Sequence, residues 1–372
     1  MNWASPRRAN RSKSRAPAKD EAAAASNAIP IASMKAMLAA SLRASPGGPP
    51  SPAAAWAADP TLSRAADISS SWLNSTIRLR NASKKWREAL RLESHVVDIP
   101  SFVSSARELC QEPSAVGPIW NAYGGHYFSP TQAISIDYML KYLPSEEPAR
   151  TICIAASIIC ASQCAAAPGH TAQPFQPTIG ASPFSMEAWR KSPIDIARRV
   201  LPDLCLRHAK VVGEAKVQDA TAAAATLNSS DLVIVDPPYS GVQYSRFYHV
   251  LETVAEGNVD SVSGVGRYPL LKNRPQSSFS NKGQSSKAPF TLLETLAETG
   301  ATVIFTFPVG ESSNGLSGNK ILAEAKKCIL SAKNTSLVHL VHLAATTMFD
   351  QHEINHTSRF SSSSPKRRLD DH

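Results

Sequence analysis

Leu232-Val233-Ile234-Val235-Asp236-Pro237-Pro238-Tyr239 is the stretch whose reading decides the fold. Its first four residues are apolar and mostly β-branched, the length and composition of a buried strand. The prolines end that strand, because proline donates nothing to a sheet ladder and fixes φ, and it restricts the residue before it as well. A carboxylate and an aromatic ring therefore stand on stiff backbone at a strand end. That arrangement suits a flat, hydrogen-bonding ligand such as a nucleobase amine.

Outward from this element, apolar spacing predicts a helix over 248–256 and a second buried strand over 301–307, followed by a helix over 319–332. Residues 337–348 read as a third strand region or a hairpin. Before the motif, helices are expected over 133–143, 149–165 and 186–210, the last broken near Ser192-Pro193, with a short one over 221–227. Strands alternating with helices indicate an α/β domain of three layers. Residues 1–60 are rich in Ala, Ser, Pro and Arg and read as a disordered basic tail. Residues 61–116 read as short helical pieces of uncertain role, 117–360 as the main domain and 361–372 as a tail.

The chain has 372 residues, is 43% hydrophobic and carries a net charge of +9. A polyanionic partner suits that charge. Residues 1–50 hold eight Lys or Arg against Asp20 and Glu21, so most of the excess belongs to the tail. No apolar run is long enough to span a bilayer, so no membrane role is expected. The six cysteines include no C-x-x-C pair and no local His cluster completes a metal site, so buried thiols in a reducing cytoplasm and no metal are expected.

The longer string DPPYSGVQYSRFYHVLE, Asp236 to Glu252, resembles the D12-class adenine-specific DNA methyltransferases. Further landmarks of the resemblance are GPIWNAYGGHYFS at 117–129, PGHTAQPF at 168–175 and SNGLSG at 313–318. The resemblance implies a Rossmann-like S-adenosylmethionine-dependent core and methyl transfer from S-adenosyl-L-methionine to N6 of adenine in DNA. It assigns the catalytic element to Asp236, Pro237, Pro238 and Tyr239. Asp236 and the Pro237 carbonyl would accept hydrogen bonds from the amine, and Tyr239 would stack on a base flipped from the duplex. Asp219 would bind the adenine of the cofactor, and its alternative reading is an N-cap. Tyr244 and Arg246 are nucleic-acid-binding candidates, with ordinary helix-start packing as the alternative. His249 reads as a core hydrogen-bonding group. His170, Thr171, Gln173 and Phe175 would neighbour the target site. Asn314, Gly315 and Gly318 would form a glycine-rich turn, and the basic residues of 356–368 would meet phosphate or solvent.

Members of the resembled family also carry an F-x-G-x-G turn near their start, where glycine lets the backbone approach the cofactor. No glycine occurs between Gly48 and Gly117, so residues 1–116 lack that turn and the core is expected to be incomplete on its N-terminal side. Asp98 has only a weak strand-end look. Three explanations stay open: a truncated or rearranged gene product, an inactive nucleic-acid-binding relative, and a partner chain or another cofactor mode supplying what is missing. Methylation of adenine in RNA is a further alternative.

Overall fold

A computed structural model describes residues 60–331, apart from 97, 112–113, 208–212 and 282. Eight helices come first: α1 (Pro60–Ala82), α2 (Lys84–Ser94), α3 (Ile99–Gln111), α4 (Pro118–Tyr123), α5 (Pro130–Lys141), α6 (Ala149–Cys164), α7 (Ser182–Trp189) and α8 (Pro193–Cys205). A mixed region follows: α9 (Ala220–Ala224), β1 (Leu232–Val235), α10 (Ser245–Glu256), β2 (Val262–Ser263), β3 (Tyr268–Pro269), α11 (Ala288–Thr299), β4 (Thr302–Phe305) and α12 (Gly318–Ser331). The described chain is thus α/β, mostly helical, with a small parallel sheet.

Local chemistry sets many of these boundaries. Pro130 opens α5, and Ser129 and Gln132 cap each other's backbone amides in a reciprocal box. Ser192 caps α8 at Asp195 N, which explains the break expected before Pro193. α10 and α11 stop at Gly257 and Gly300, both left-handed, where a side chain would be strained. α6 is apolar on nearly every side and is buried along its length, as befits a central helix.

Around α6 lies one helical core. Trp72, Leu73, Ala89 and Cys110 of the first three helices share it with Trp120, Ile134, Ile158 and Leu201. The helical pieces expected over 61–116 are α1 to α3, of which α1, at 23 residues, is longer than expected. Asp98, with its weak strand-end look in the sequence, instead precedes α3 and accepts from Ser101 N at 2.9 Å.

The buried carboxylate of Asp137 in α5 organises the GPIWNAYGG segment. It accepts from Ile119 N at 2.9 Å and Trp120 N at 2.8 Å, satisfying two orphan amides at the start of α4. Burial pushes its pKa up to about 7, against the pull of those two hydrogen bonds. A Cβ on Gly117 would lie 2.4 Å from the Asp137 carboxyl carbon, and one on Gly124 would lie 2.6 Å from the Cys110 sulfur. Gly125 is left-handed and packs against the backbone of Arg107. These glycines are steric requirements of helix packing.

The second core belongs to the sheet. β1 and β4 are parallel and pair Leu232 with Thr302 through to Val235 with Phe305. Val233, Val235, Val303 and Phe305 face a cluster completed by Leu292, Leu293 and Leu296 of α11 and Ile321 of α12. The other face of β1 is open, with Leu232 65% and Ile234 67% exposed. The strand expected to be buried is therefore covered on one side only by the described residues. α10 leaves the sheet and packs Val250, Leu251 and Val254 into the helical core, so the segment between β1 and α10 lies where the two cores meet. The expected strand region over 337–348 and the two tails lie outside the described residues.

Candidate functional site

Two parallel strands that end in register bring the residues just past them side by side. Thr306 N donates to Val235 O at 2.9 Å, and the Thr306 hydroxyl lies 3.2 Å from the same carbonyl and 2.8 Å from Asp236 Oδ1. The Asp236 carboxylate is thereby oriented at an exposed strand end. Pro237 is buried, and its carbonyl accepts no hydrogen bond from the described residues. The next carbonyl, of Pro238, takes Asn314 Nδ2 at 3.3 Å, and that amide also reaches Phe279 O at 3.2 Å. Gly241 N donates to Ser313 Oγ at 3.0 Å. The Ser313–Gly318 segment, in the loop after β4, therefore braces the motif, and Asn314 spends its amide on protein carbonyls.

An aromatic wall stands over this strand end. Tyr239 is 44% exposed and meets Tyr244 and Phe307 edge to face, at 6.4 and 6.5 Å between ring centres. Tyr244 also meets Phe247 and Tyr248 edge to face. Such contacts fix a ring's orientation while leaving ring faces available for stacking. Burial, then the neighbouring Tyr239, pushes the Tyr244 phenol up, and Asp236 adds to the effect. Tyr248 is shifted in the same direction by burial, Tyr239 and Asp236.

The other landmark segments converge on the start of α10. Thr171 N and its hydroxyl both donate to Phe247 O, at 3.0 and 2.6 Å, while His170 packs edge-on to the Phe247 ring. Tyr127, from the 117–129 segment, donates to Thr171 O at 2.7 Å. Phe175 packs on Phe184 and hydrogen-bonds Ala166 through its backbone. Arg246 lies over the Tyr268 ring, 4.7 Å from its centre, and donates to the Tyr268 hydroxyl. His249 is buried, with Nε2 2.8 Å from Gly266 O and Nδ1 3.2 Å from Arg246 O. The shorter contact assigns the ring proton to Nε2. Burial holds its pKa down at about 4, so it is a neutral core group, as the sequence suggested.

Asp219 caps α9: its Oδ1 accepts from Thr221 N at 2.9 Å and Ala222 N at 3.2 Å. Among the described residues no strand leads into it, and Val217 is exposed, so the expected strand-end setting gives way to a helix start. Asp219 nonetheless lines a cleft of about 630 Å³ with Thr221, Ser277, Gln284 and Lys287. A neighbouring apolar cleft of about 440 Å³ runs between Ala223, Leu227 and Phe279 to Val235, Asp236 and Pro237. The Asp219 carboxylate and the two clefts are the groups that would hold the adenosine end of S-adenosylmethionine. Its methionine end has no matching glycine-rich turn among the described residues, so the donor fits only in part.

Among the described residues no cluster of three or more His, Cys, Asp or Glu side chains is placed to hold a metal ion, and no helix is long and apolar enough to cross a membrane. All six cysteines are free thiols, and burial pushes those of Cys153 and Cys164 up to about 12. They are poor nucleophiles at neutral pH.

Thr306, Ser313 and Asn314 are the site residues that sequence reasoning undervalued. Thr306 had a signal: it follows an apolar run in the same way that Asp236 does, so a parallel pairing of the two runs would place them together. Compared with known proteins, the chain matches no family model, no curated protein and no solved structure. The class defined by fold and site is a helix-rich α/β protein with a polar and aromatic cluster at the C-terminal end of a short parallel sheet.

Proposed function

We propose that the chain derives from an adenine-N6 DNA methyltransferase of the D12 class, with a Rossmann-like core incomplete on its N-terminal side and S-adenosyl-L-methionine as donor. The observation that carries this reading is the Asp236–Tyr239 element. It combines a carboxylate oriented by Thr306, a buried proline whose carbonyl stays available, and a half-exposed ring held edge-on by two neighbours.

An exocyclic amine is a weak nucleophile because its lone pair is delocalised into the ring. Acceptors aimed at its two protons favour a pyramidal nitrogen and release that lone pair. A carboxylate has capacity for several hydrogen bonds, so Asp236 can accept one from the amine beside its contacts within the protein. The Pro237 carbonyl supplies the second acceptor. Tyr239 stacks on the base, which a duplex must first release. Asp219 holds the donor's adenine through the carboxylate oxygen that α9 does not use.

Calorimetric titration with S-adenosylmethionine, followed by labelled methyl transfer to matched DNA and RNA, tests this. Cofactor binding with transfer to DNA supports the reading, and transfer to RNA alone moves the substrate to the RNA alternative. No binding at millimolar cofactor contradicts an enzyme made of this chain alone. The open side of β1 favours a second reading for that case. Its exposed Leu232 and Ile234 suit a partner chain that packs on this face of the sheet and brings the missing glycine-rich turn. A chain that binds DNA but transfers nothing even with such a partner is the inactive nucleic-acid-binding relative.

A further inference from the structure

We propose that Arg246 and Arg274, gathered on the ring of Tyr268, grip the phosphate backbone of the nucleic acid whose base enters the Asp236–Tyr239 site. This inference rests on the function proposed above and adds a backbone-binding site to it.

Tyr268 is the centre of the arrangement. Its ring is buried in β3, and its hydroxyl donates to Ala172 O at 2.6 Å and accepts from Arg246 Nη2 at 3.2 Å. Arg246 enters from the first turn of α10, with its guanidinium carbon 4.7 Å from the ring centre. Arg274 comes from the turn after β3, at 5.2 Å from the same centre, with Nε donating to Pro269 O at 2.7 Å. The two guanidinium groups are thus collected on one ring by separate elements.

Neither arginine forms an ion pair with a described carboxylate. Asp260 takes the side-chain amide of Asn273, the neighbour of Arg274, at 2.6 Å. Arg246 Nε is buried without a hydrogen-bond partner. Two like charges on one aromatic ring repel each other. An oxyanion accepting from the outer guanidinium nitrogens of the two arginines offsets that repulsion. The planar fork of arginine matches phosphate oxygens, and tyrosine fixes each fork in place.

The location fits a backbone contact. Arg246 follows Tyr244 by two residues, and Tyr244 braces the ring of Tyr239. A flipped nucleotide carries its own phosphates past the residues that flank the base pocket, and phosphate contacts fix register without reading sequence.

The test is fluorescence anisotropy of a labelled 20-base-pair duplex across a salt series, with the full chain and the variants Arg246→Gln and Arg274→Gln. Each duplex phosphate contact contributes about −0.9 to the slope of log K against log salt, so each variant should flatten the slope by about that amount. Arg246→Lys and Arg274→Lys keep the charge and should keep the slope, which separates phosphate binding from a folding defect. Unchanged slopes in both Gln variants, or slopes lost equally in the Lys variants, overturn the inference. Flattened slopes in a chain that transfers no methyl group sustain this inference while the methyltransferase reading fails. Methyl transfer with unchanged slopes does the reverse.

Discussion

The hydroxyl of Thr306 donates to the carboxylate of Asp236 at 2.8 Å, across the ends of two parallel strands paired in register. Neither residue is near the other in sequence, and the strand pairing alone brings them together. Thr306 is therefore a positioning residue for the amine-binding carboxylate. Thr306→Val keeps the shape and removes the donor, at about 1–2 kcal/mol of orientation, or roughly a 5- to 30-fold loss in kcat for methyl transfer. Thr306→Ser should recover most of it. Equal losses in the Val and Ser variants would show that the hydroxyl has no such role.

Asn314 closes the site from the opposite loop. Asn314→Ala leaves the Pro238 and Phe279 carbonyls without their shared donor. The expected cost is about 2 kcal/mol, seen as a lower urea midpoint with an unchanged m-value. A variant as stable as the parent would mean that the loop does not brace the motif.

Asp137 and Gly117 form a second dependent pair, far from the sheet. Gly117→Ala drives a methyl group into the Asp137 carboxyl group, and Asp137→Ala uncaps α4 inside the core. Each should destabilise the protein by about 2–4 kcal/mol in denaturant melts. Combined, they should cost less than the sum, because both act on one contact.

Much of this was readable beforehand, and the gaps have physical causes. The β1 and β4 runs, the prolines after β1 and the break at Ser192-Pro193 are local signals, and all appear at or near the expected positions. The exposure of Leu232 and Ile234 was not readable, because a run such as LVIV says that a strand forms and not which faces find a cover. That contrast is measurable. Val303→Ala, on the covered face, should cost about 2 kcal/mol, and Ile234→Thr less than about 0.5 kcal/mol. The Asp137 cap was hidden for another reason: its amides lie 17 and 18 residues away, beyond any capping pattern in sequence. Asp219 reads equally well as a cap or a ligand, and the helix start at Ala220 places its Oδ1 in the cap.

The buried histidines set an acid limit on stability. Burial lowers the folded-state pKa of His126 to about 3 and of His249 to about 4, against an ordinary value of 6.5. Between those values the unfolded chain binds protons that the folded chain refuses, so the histidine contribution is full above pH 6.5 and falls as the pH drops toward 4. Asp137 acts in the opposite sense: its folded pKa of about 7 lies above the ordinary 3.8, so its contribution declines as pH rises between those values. The His249 share is isolated by comparison with His249→Gln. The stability of the parent should fall more steeply than that of the variant from pH 6.5 to 4, by up to about 3 kcal/mol. Parallel pH profiles would contradict a neutral buried imidazole.

The most direct measurement is nucleoside mass spectrometry of adenine-containing duplex DNA after incubation with the chain and S-adenosylmethionine, for the parent and for Asp236→Ala. A strand-end carboxylate that grips the amine predicts N6-methyladenine from the parent and at least a hundredfold less from Asp236→Ala, about 2.7 kcal/mol or more. N6-methyladenine formed equally by both chains, or by neither, would contradict it.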